Sequence, residues 1–292
     1  MVRDVARRRP GRAILSTTLE SIDARTRLLY DSLRARPINQ ALARTLDEAR
    51  PASATSDVRL VLVPGLFYRE HPRTGADGAF LETVARDLGL AVEMLPIDGS
   101  AGLDGSADAI NDWLLATMDA RPVLLFTLSM GTNEVRHALT RAAAARAFVK
   151  VRAWISISGL PFGSAAVDLT LANPLRRAFV RALCRVKGWH YENLRDVVRH
   201  RPGAPFVLPA HIRLVQIAAF PEHAHLRDRR SRRLHRWLAR LGPNDGFALL
   251  DELAALPGEI YPVWGVDHYL NGAASLEGRL AALISDLAIR TS

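Results

Sequence analysis

From Val58 onward, short apolar runs rich in β-branched residues alternate with amphipathic helical stripes, and this alternation constrains the fold more than any other feature of the chain. The runs are Arg59 to Val63, Ala91 to Ile97, Val123 to Leu128, Val151 to Ser158, Arg213 to Phe220 and Glu259 to Val266. Between and after them, three groups of residues recur at helical spacing. They are Ile110, Trp113, Leu114 and Met118; Val135, Ala138, Leu139 and Ala142; and Leu280, Leu283, Ile284 and Leu287. A strand that is apolar on both faces must be covered on both faces, which needs helices above and below the sheet. The predicted fold is therefore α/β, a mostly parallel, doubly wound sheet. With 292 residues, 49% of them hydrophobic, the chain has enough apolar material for one sizeable core.

Two regions depart from the alternation. Leu15, Leu19, Ile22, Leu29 and Leu33 fall on one helical face, Pro37 breaks the pattern, and Ala41, Leu42 and Leu46 begin a second helix. The stretch Pro51 to Ser56 reads as a linker. Residues 1–56 are thus expected to be an N-terminal helical arm and linker that packs against a main domain of residues 57–292. Inside that domain, residues 160–211 interrupt the order with a helical stripe of Leu175, Phe179, Leu183 and Val186. Insertions near the C-terminal edge of open α/β sheets build ligand sites, so this segment is expected to be an inserted cap or lid.

The net charge of +9 comes mainly from arginine, concentrated at Arg7 to Arg12 and Arg227 to Arg240. Basic surface suits nucleic acid, an anionic membrane or an acidic substrate, and it also maintains solubility. No aromatic-interleaved platform accompanies the arginines, so no nucleic-acid partner is expected. The stretch with Arg227, Arg230, Arg233, Arg236 and Arg240 is read as a solvated helix face, with contact to an anionic membrane surface as the competing reading. Cys184 is the one cysteine, which excludes an intrachain disulfide framework and a multi-cysteine zinc site. The apolar run Ala13 to Leu15 is too short for a signal-peptide core, and a cytoplasmic protein is expected.

Chemistry enters at Thr127, Leu128, Ser129, Met130 and Gly131, which join the third run to the helix containing Val135 and Leu139. A serine there can simply cap the helix. The pentapeptide also resembles the nucleophile elbow of the α/β-hydrolases, in which a sharp strand-to-helix turn lifts the serine oxygen above the sheet edge. The usual elbow has glycine where this chain has Thr127. Val61 to Phe67 resembles the strand and loop that supply half of that family's oxyanion hole, with Pro64 and Gly65 where many members have His-Gly. The resemblance assigns the backbone N–H groups of Leu66 and Met130 as oxyanion donors, with Phe67 as a second possibility.

The family's chain order is nucleophile, acid, histidine. An acid on a loop after a later strand points to Asp245, within Gly242 to Gly246, ahead of Asp251 and Asp267. His268 follows the final run, whereas His223, His225 and His235 precede Asp245 and break the order. The resemblance implies a triad of Ser129, Asp245 and His268 that needs no metal or organic cofactor. Gly159 to Ser164, followed by Ala165, Ala166, Val167 and Asp168, resembles the post-strand segment of triacylglycerol lipases. It implies a lipase or esterase acting on a small-molecule ester with an apolar acyl group. Phe67 and Leu160 are candidate substrate contacts, and the apolar stripe of the insertion adds Leu175 and Phe179 as a lid or acyl-chain wall. A thioesterase or acyltransferase would use the same triad, and a non-catalytic binding scaffold would use the same fold.

Overall fold

The computed structural model describes residues 10–48, 57–66, 68, 75, 77–97, 101–117, 119–189, 191–198, 207–270 and 276–291. Arg7 to Arg9, the linker expected at Pro51 to Ser56, Phe67 and Met118 lie outside them, as do the side chains of Leu15 and Leu19.

Among the described residues, six strands form one parallel sheet: β1 (Arg59–Val63), β2 (Val92–Met94), β3 (Val123–Leu128), β4 (Val151–Ile157), β5 (Arg213–Phe220) and β6 (Glu259–Trp264). Their spatial order is β2-β1-β3-β4-β5-β6. The chain winds outward from β1 to β2, then returns to the other side of β1 for β3. That reversal opens a crevice at the C-terminal ends of β1 and β3, where open α/β sheets bind ligands. Only three of the seven residues expected for β2 pair with β1, and β2 is partly exposed because it forms an edge.

The first helices are α1 (Pro10–Arg34), α2 (Pro37–Glu48), α3 (Ala79–Asp87), α4 (Gly102–Ala116), α5 (Gly131–Ala138) and α6 (Ala144–Ala147). Between β4 and β5 lie α7 (Ala165–Leu171), α8 (Pro174–Lys187) and α9 (Tyr191–Asp196). The last are α10 (Arg229–Leu238), α11 (Leu250–Ala254) and α12 (Leu276–Thr291). Strand alternation decides which helices cover which face. Leu60, Leu62, Leu124, Phe126, Ile155 and Ile217 pack with α2, α3 and α12. Their neighbours Val61, Val63, Leu125 and Trp154 pack on the opposite face with α4, α5 and α6. Truncating a fully buried member such as Leu62 to alanine would cost about 2–5 kcal/mol through lost transfer energy and the cavity left behind.

Helices α1 and α2 cover the sheet edge at β6. Leu33 of α1 packs with Phe220 and Ile260, and Asn39 of α2 accepts the Ile260 N–H at 2.8 Å while donating to the Leu33 carbonyl. Tyr261 donates to Asp47 at 2.8 Å. An edge strand otherwise presents unpaired amides to solvent or another chain. Among the described residues, no helix is long and apolar enough to cross a membrane.

Candidate active site

Ser129 stands directly after β3 with φ of 48°, in the left-handed region that side chains with a Cβ rarely enter. Such a conformation costs about 1–3 kcal/mol and persists only where its surroundings hold it. Here the Ser129 N–H donates to the Ile157 carbonyl at 3.1 Å, and the Ser129 carbonyl accepts the Leu160 N–H at 2.9 Å. The turn is lashed to the end of β4. The serine does not cap α5; the residue before that helix is Met130, without a side-chain cap.

Gly131 explains how closely the elbow approaches β1. A Cβ on it would stand 2.7 Å from the Val63 carbonyl oxygen and 2.9 Å from that of Pro64. Backbone oxygens cannot rotate away, so only glycine fits here. The close approach brings the start of α5 against the loop carrying Leu66, while the first N–H groups of a helix remain outside its own hydrogen-bond ladder.

Thr127 occupies the usual glycine position of the elbow, and the fold accommodates it with a polar network. Trp154 Nε1 donates to Thr127 Oγ1 at 2.9 Å. Thr127 and Thr132 hydroxyls lie 2.9 Å apart, as do those of Thr132 and Ser156. All four residues are buried, so each hydroxyl needs these partners. Composition gave no signal for this network; the threonine standing in place of glycine was its only trace.

The acid loop is shaped by its own side chains. Asn244 accepts the Gly246 N–H at 3.0 Å and donates to the Gly242 carbonyl at 3.1 Å. Asp245 Oδ1 accepts the N–H groups of Phe247 and Ala248 at 2.8 and 2.7 Å, and its Oδ2 lies 2.8 Å from His268 Nδ1. Asp245 and His268 are both buried. A carboxylate with these acceptor roles leaves the proton on Nδ1, so Nε2 of a neutral ring is the acceptor. Ser129 Oγ lies 3.0 Å from that Nε2. Hydroxyl, imidazole and carboxylate thus form one hydrogen-bonded line.

His268 sits on a tight turn. Asp267 accepts the Tyr269 N–H through its side chain at 3.0 Å and the Leu270 N–H through its carbonyl at 2.8 Å. Its carboxylate therefore shapes the turn beside the imidazole, and Asp251 lies on α11. Phe247 packs against the His268 ring, centroids 4.9 Å apart.

An apolar cluster borders the serine: Met130, Leu160, Val197 and Ala248, with Leu66, Val167 and Phe247 packed on it. The sequence places Leu66, Met130 and Leu160 near the site; it does not place Val167, Val197 and Phe247 there, because no spacing ties α7, the residue after α9 and the acid loop together. Leu175 and Phe179 are not among these residues. They lie on α8 and are exposed to solvent. His223 and His225 form a short 3-10 turn, while His235 is fully buried in α10 with its ring 5.5 Å from that of His223. Among the described residues, no three histidine, cysteine, aspartate or glutamate side chains are grouped to hold a metal ion.

No family model matches the chain, and no curated protein matches it in sequence. Solved structures do match. A metagenomic carboxyl esterase is 19% identical with a TM-score of 0.55, over 82% of this chain and 78% of its own. The mature Bacillus licheniformis lipase is 17% identical with a TM-score of 0.46, over 80% and 94%. The thioesterase of the prodiginine biosynthetic pathway in Streptomyces coelicolor is 17% identical with a TM-score of 0.42, over 82% and 88%. The parallel six-stranded sheet with helices on both faces, and the likeness to the first of these structures, show that the described residues adopt the α/β-hydrolase fold.

Proposed function

We propose that the protein is a serine hydrolase that cleaves carboxylic esters with an apolar acyl group through an acyl-enzyme intermediate. The observation that carries this reading is the unbroken line from Ser129 Oγ through His268 to Asp245, at 3.0 and 2.8 Å. The fold is one on which a carboxyl esterase is built.

In the first half-reaction Ser129 Oγ forms a bond to the ester carbonyl carbon as its proton passes to His268 Nε2. Asp245 stabilises the imidazolium and holds the ring in the useful tautomer. The carbonyl oxygen becomes an alkoxide, held by the N–H groups of Leu66 and Met130; one such donor is worth about 3 kcal/mol. The bond to the leaving alcohol then breaks, and His268 returns the proton to the alcohol oxygen. Water repeats the sequence on the acyl-enzyme, releasing the acid and restoring Ser129. Leu160, Met130, Val167 and Val197 border the serine and suit an apolar acyl chain.

A fluorophosphonate probe tests the nucleophile. The native protein is expected to be labelled, and Ser129→Ala is expected to be spared. Equal labelling of both would move the nucleophile elsewhere. No labelling or ester turnover by the native protein would leave a binding scaffold.

A further inference from the structure

Helix α8 is built unlike the helices that cover the sheet. Its stop signals are ordinary: Asn173 caps the N-terminus by accepting the Arg176 N–H at 3.1 Å, and Gly188 ends the helix in the left-handed conformation. Its apolar residues face the wrong way for a core helix. At 3.6 residues per turn, Leu175, Phe179, Leu183 and Val186 fall within an arc of about 80°. Leu175, Phe179 and Val186 are 82%, 69% and 83% exposed. Cys184, the buried residue of the helix, lies on the opposite side. The apolar ridge therefore points away from the protein body.

Cations flank the ridge on both sides. Arg176 and Lys187 border one side and Arg181 and Arg185 the other, and α8 contains no acidic residue. Helix α10 continues the charge with exposed Arg229, Arg230, Arg232, Arg233 and Arg236, again without an acid inside the helix. The two helices share one surface, because the guanidinium carbons of Arg176 and Arg233 lie 4.3 and 4.7 Å from the centroid of the same Trp237 ring. That surface reaches the triad. Arg230 lies 5.7 Å from the Phe247 ring, and Phe247 packs on His268.

We infer that the face formed by α8 and α10 docks on an anionic phospholipid bilayer. The apolar ridge enters the acyl boundary and the flanking cations meet the phosphates, the arrangement of an interfacial amphipathic helix. Charge decides among occupants. A second copy would set the same cations against each other, and a nucleic acid would leave the apolar ridge without a partner. The inference does not depend on Ser129 chemistry, and it places the triad beside a lipid surface.

Vesicle co-sedimentation of the full chain tests it. Phosphatidylcholine vesicles containing about 30 mol% phosphatidylglycerol are expected to bind at low salt and to release the protein at about 0.5 M salt, with pure phosphatidylcholine binding at least tenfold less. The triple change Leu175→Ser, Phe179→Ser and Val186→Ser is expected to lower binding tenfold or more; these side chains are exposed, so the fold is kept. Arg181→Gln with Arg185→Gln is expected to reduce the preference for the anionic vesicles. Leu28→Ser, at another exposed apolar position, is expected to change nothing. Lack of binding by the native chain at low salt would overturn the inference, as would undiminished binding by the triple variant. A solution dimer abolished by the triple variant, without vesicle binding, would assign the ridge to a second copy instead. None of these outcomes depends on ester turnover.

Discussion

Replacing Asp245 with asparagine probes the proposed mechanism with little change in shape. Asp245 Oδ1 already accepts two backbone N–H groups, from Phe247 and Ala248. An asparagine side chain keeps those bonds only by placing its carbonyl oxygen there. Its NH₂ group then faces His268 Nδ1 in place of the Oδ2 that now lies 2.8 Å away. Two N–H donors cannot share one contact, so Nδ1 must become the acceptor and the ring proton must move to Nε2. Nε2 would then donate toward Ser129 Oγ, 3.0 Å away, and could no longer take its proton.

The expected fall in kcat is about 10⁴-fold, or about 5 kcal/mol of transition-state stabilisation at about 1.4 kcal/mol per decade. KM should change little, because the apolar cluster is untouched. The assay is steady-state hydrolysis of a short-chain p-nitrophenyl ester, with near-UV circular dichroism to show that the variant is folded. A folded Asp245→Asn protein within tenfold of native turnover would refute the proposed roles of Asp245 and His268.

In Gly131→Ala the new methyl would press on the Val63 and Pro64 carbonyls at 2.7 and 2.9 Å, moving the elbow against the Leu66 loop. A displacement of even part of an ångström should lower kcat about tenfold to hundredfold, and unchanged kinetics would show that the two elements need not meet so closely. Glu134 is buried in α5 against Ser106, and burial pushes its carboxyl up from 4.5 to about 7. The folded protein therefore holds a proton that the unfolded chain releases, so this residue's contribution falls by about 3 kcal/mol as pH rises from about 4.5 to 7. Urea denaturation at pH 8 should find Glu134→Gln more stable than native by up to that amount, with the gain absent near pH 4; a variant less stable at pH 8 would contradict it. Burial lowers His235 from 6.5 to about 4, with the nearby His223 adding to the effect. The unfolded chain takes up that proton first, so stability drops by about 3 kcal/mol as pH falls from about 6.5 to 4, and His235→Phe should flatten that limb of the denaturation profile.

Where sequence reasoning succeeded, the signal was local. The alternation of apolar runs and helical stripes read out the sheet and its helices because strand and helix periods are properties of neighbouring residues. The residues of the elbow were legible as a strand-turn-helix, since Gly131 and the apolar run before Ser129 lie within a few positions of it. The edge strand is shorter than its apolar run: Ala91 to Ile97 is apolar enough for a strand, but the strand covers Val92 to Met94, and pairing with β1 ends at the Leu95 N–H, which donates to the Leu62 carbonyl at 2.8 Å. Leu175 and Phe179 show the same limit from the other side. Their helical spacing was plain, yet a stripe does not state whether it faces a core, a cavity or solvent.

The sequence alone determined the layered α/β plan and nominated Ser129, Asp245 and His268 through their order along the chain. Tertiary structure decided what no spacing encodes: the serine and the histidine lie 139 positions apart in the chain, and only the crossovers of the sheet bring them to 3.0 Å. It also decided that Thr127 is held by Trp154 and Thr132, that Phe247 covers the imidazole, and that the ridge of α8 faces outward. Period and chain order are fixed by covalent neighbours, whereas contacts between distant segments are set by which faces must be buried together.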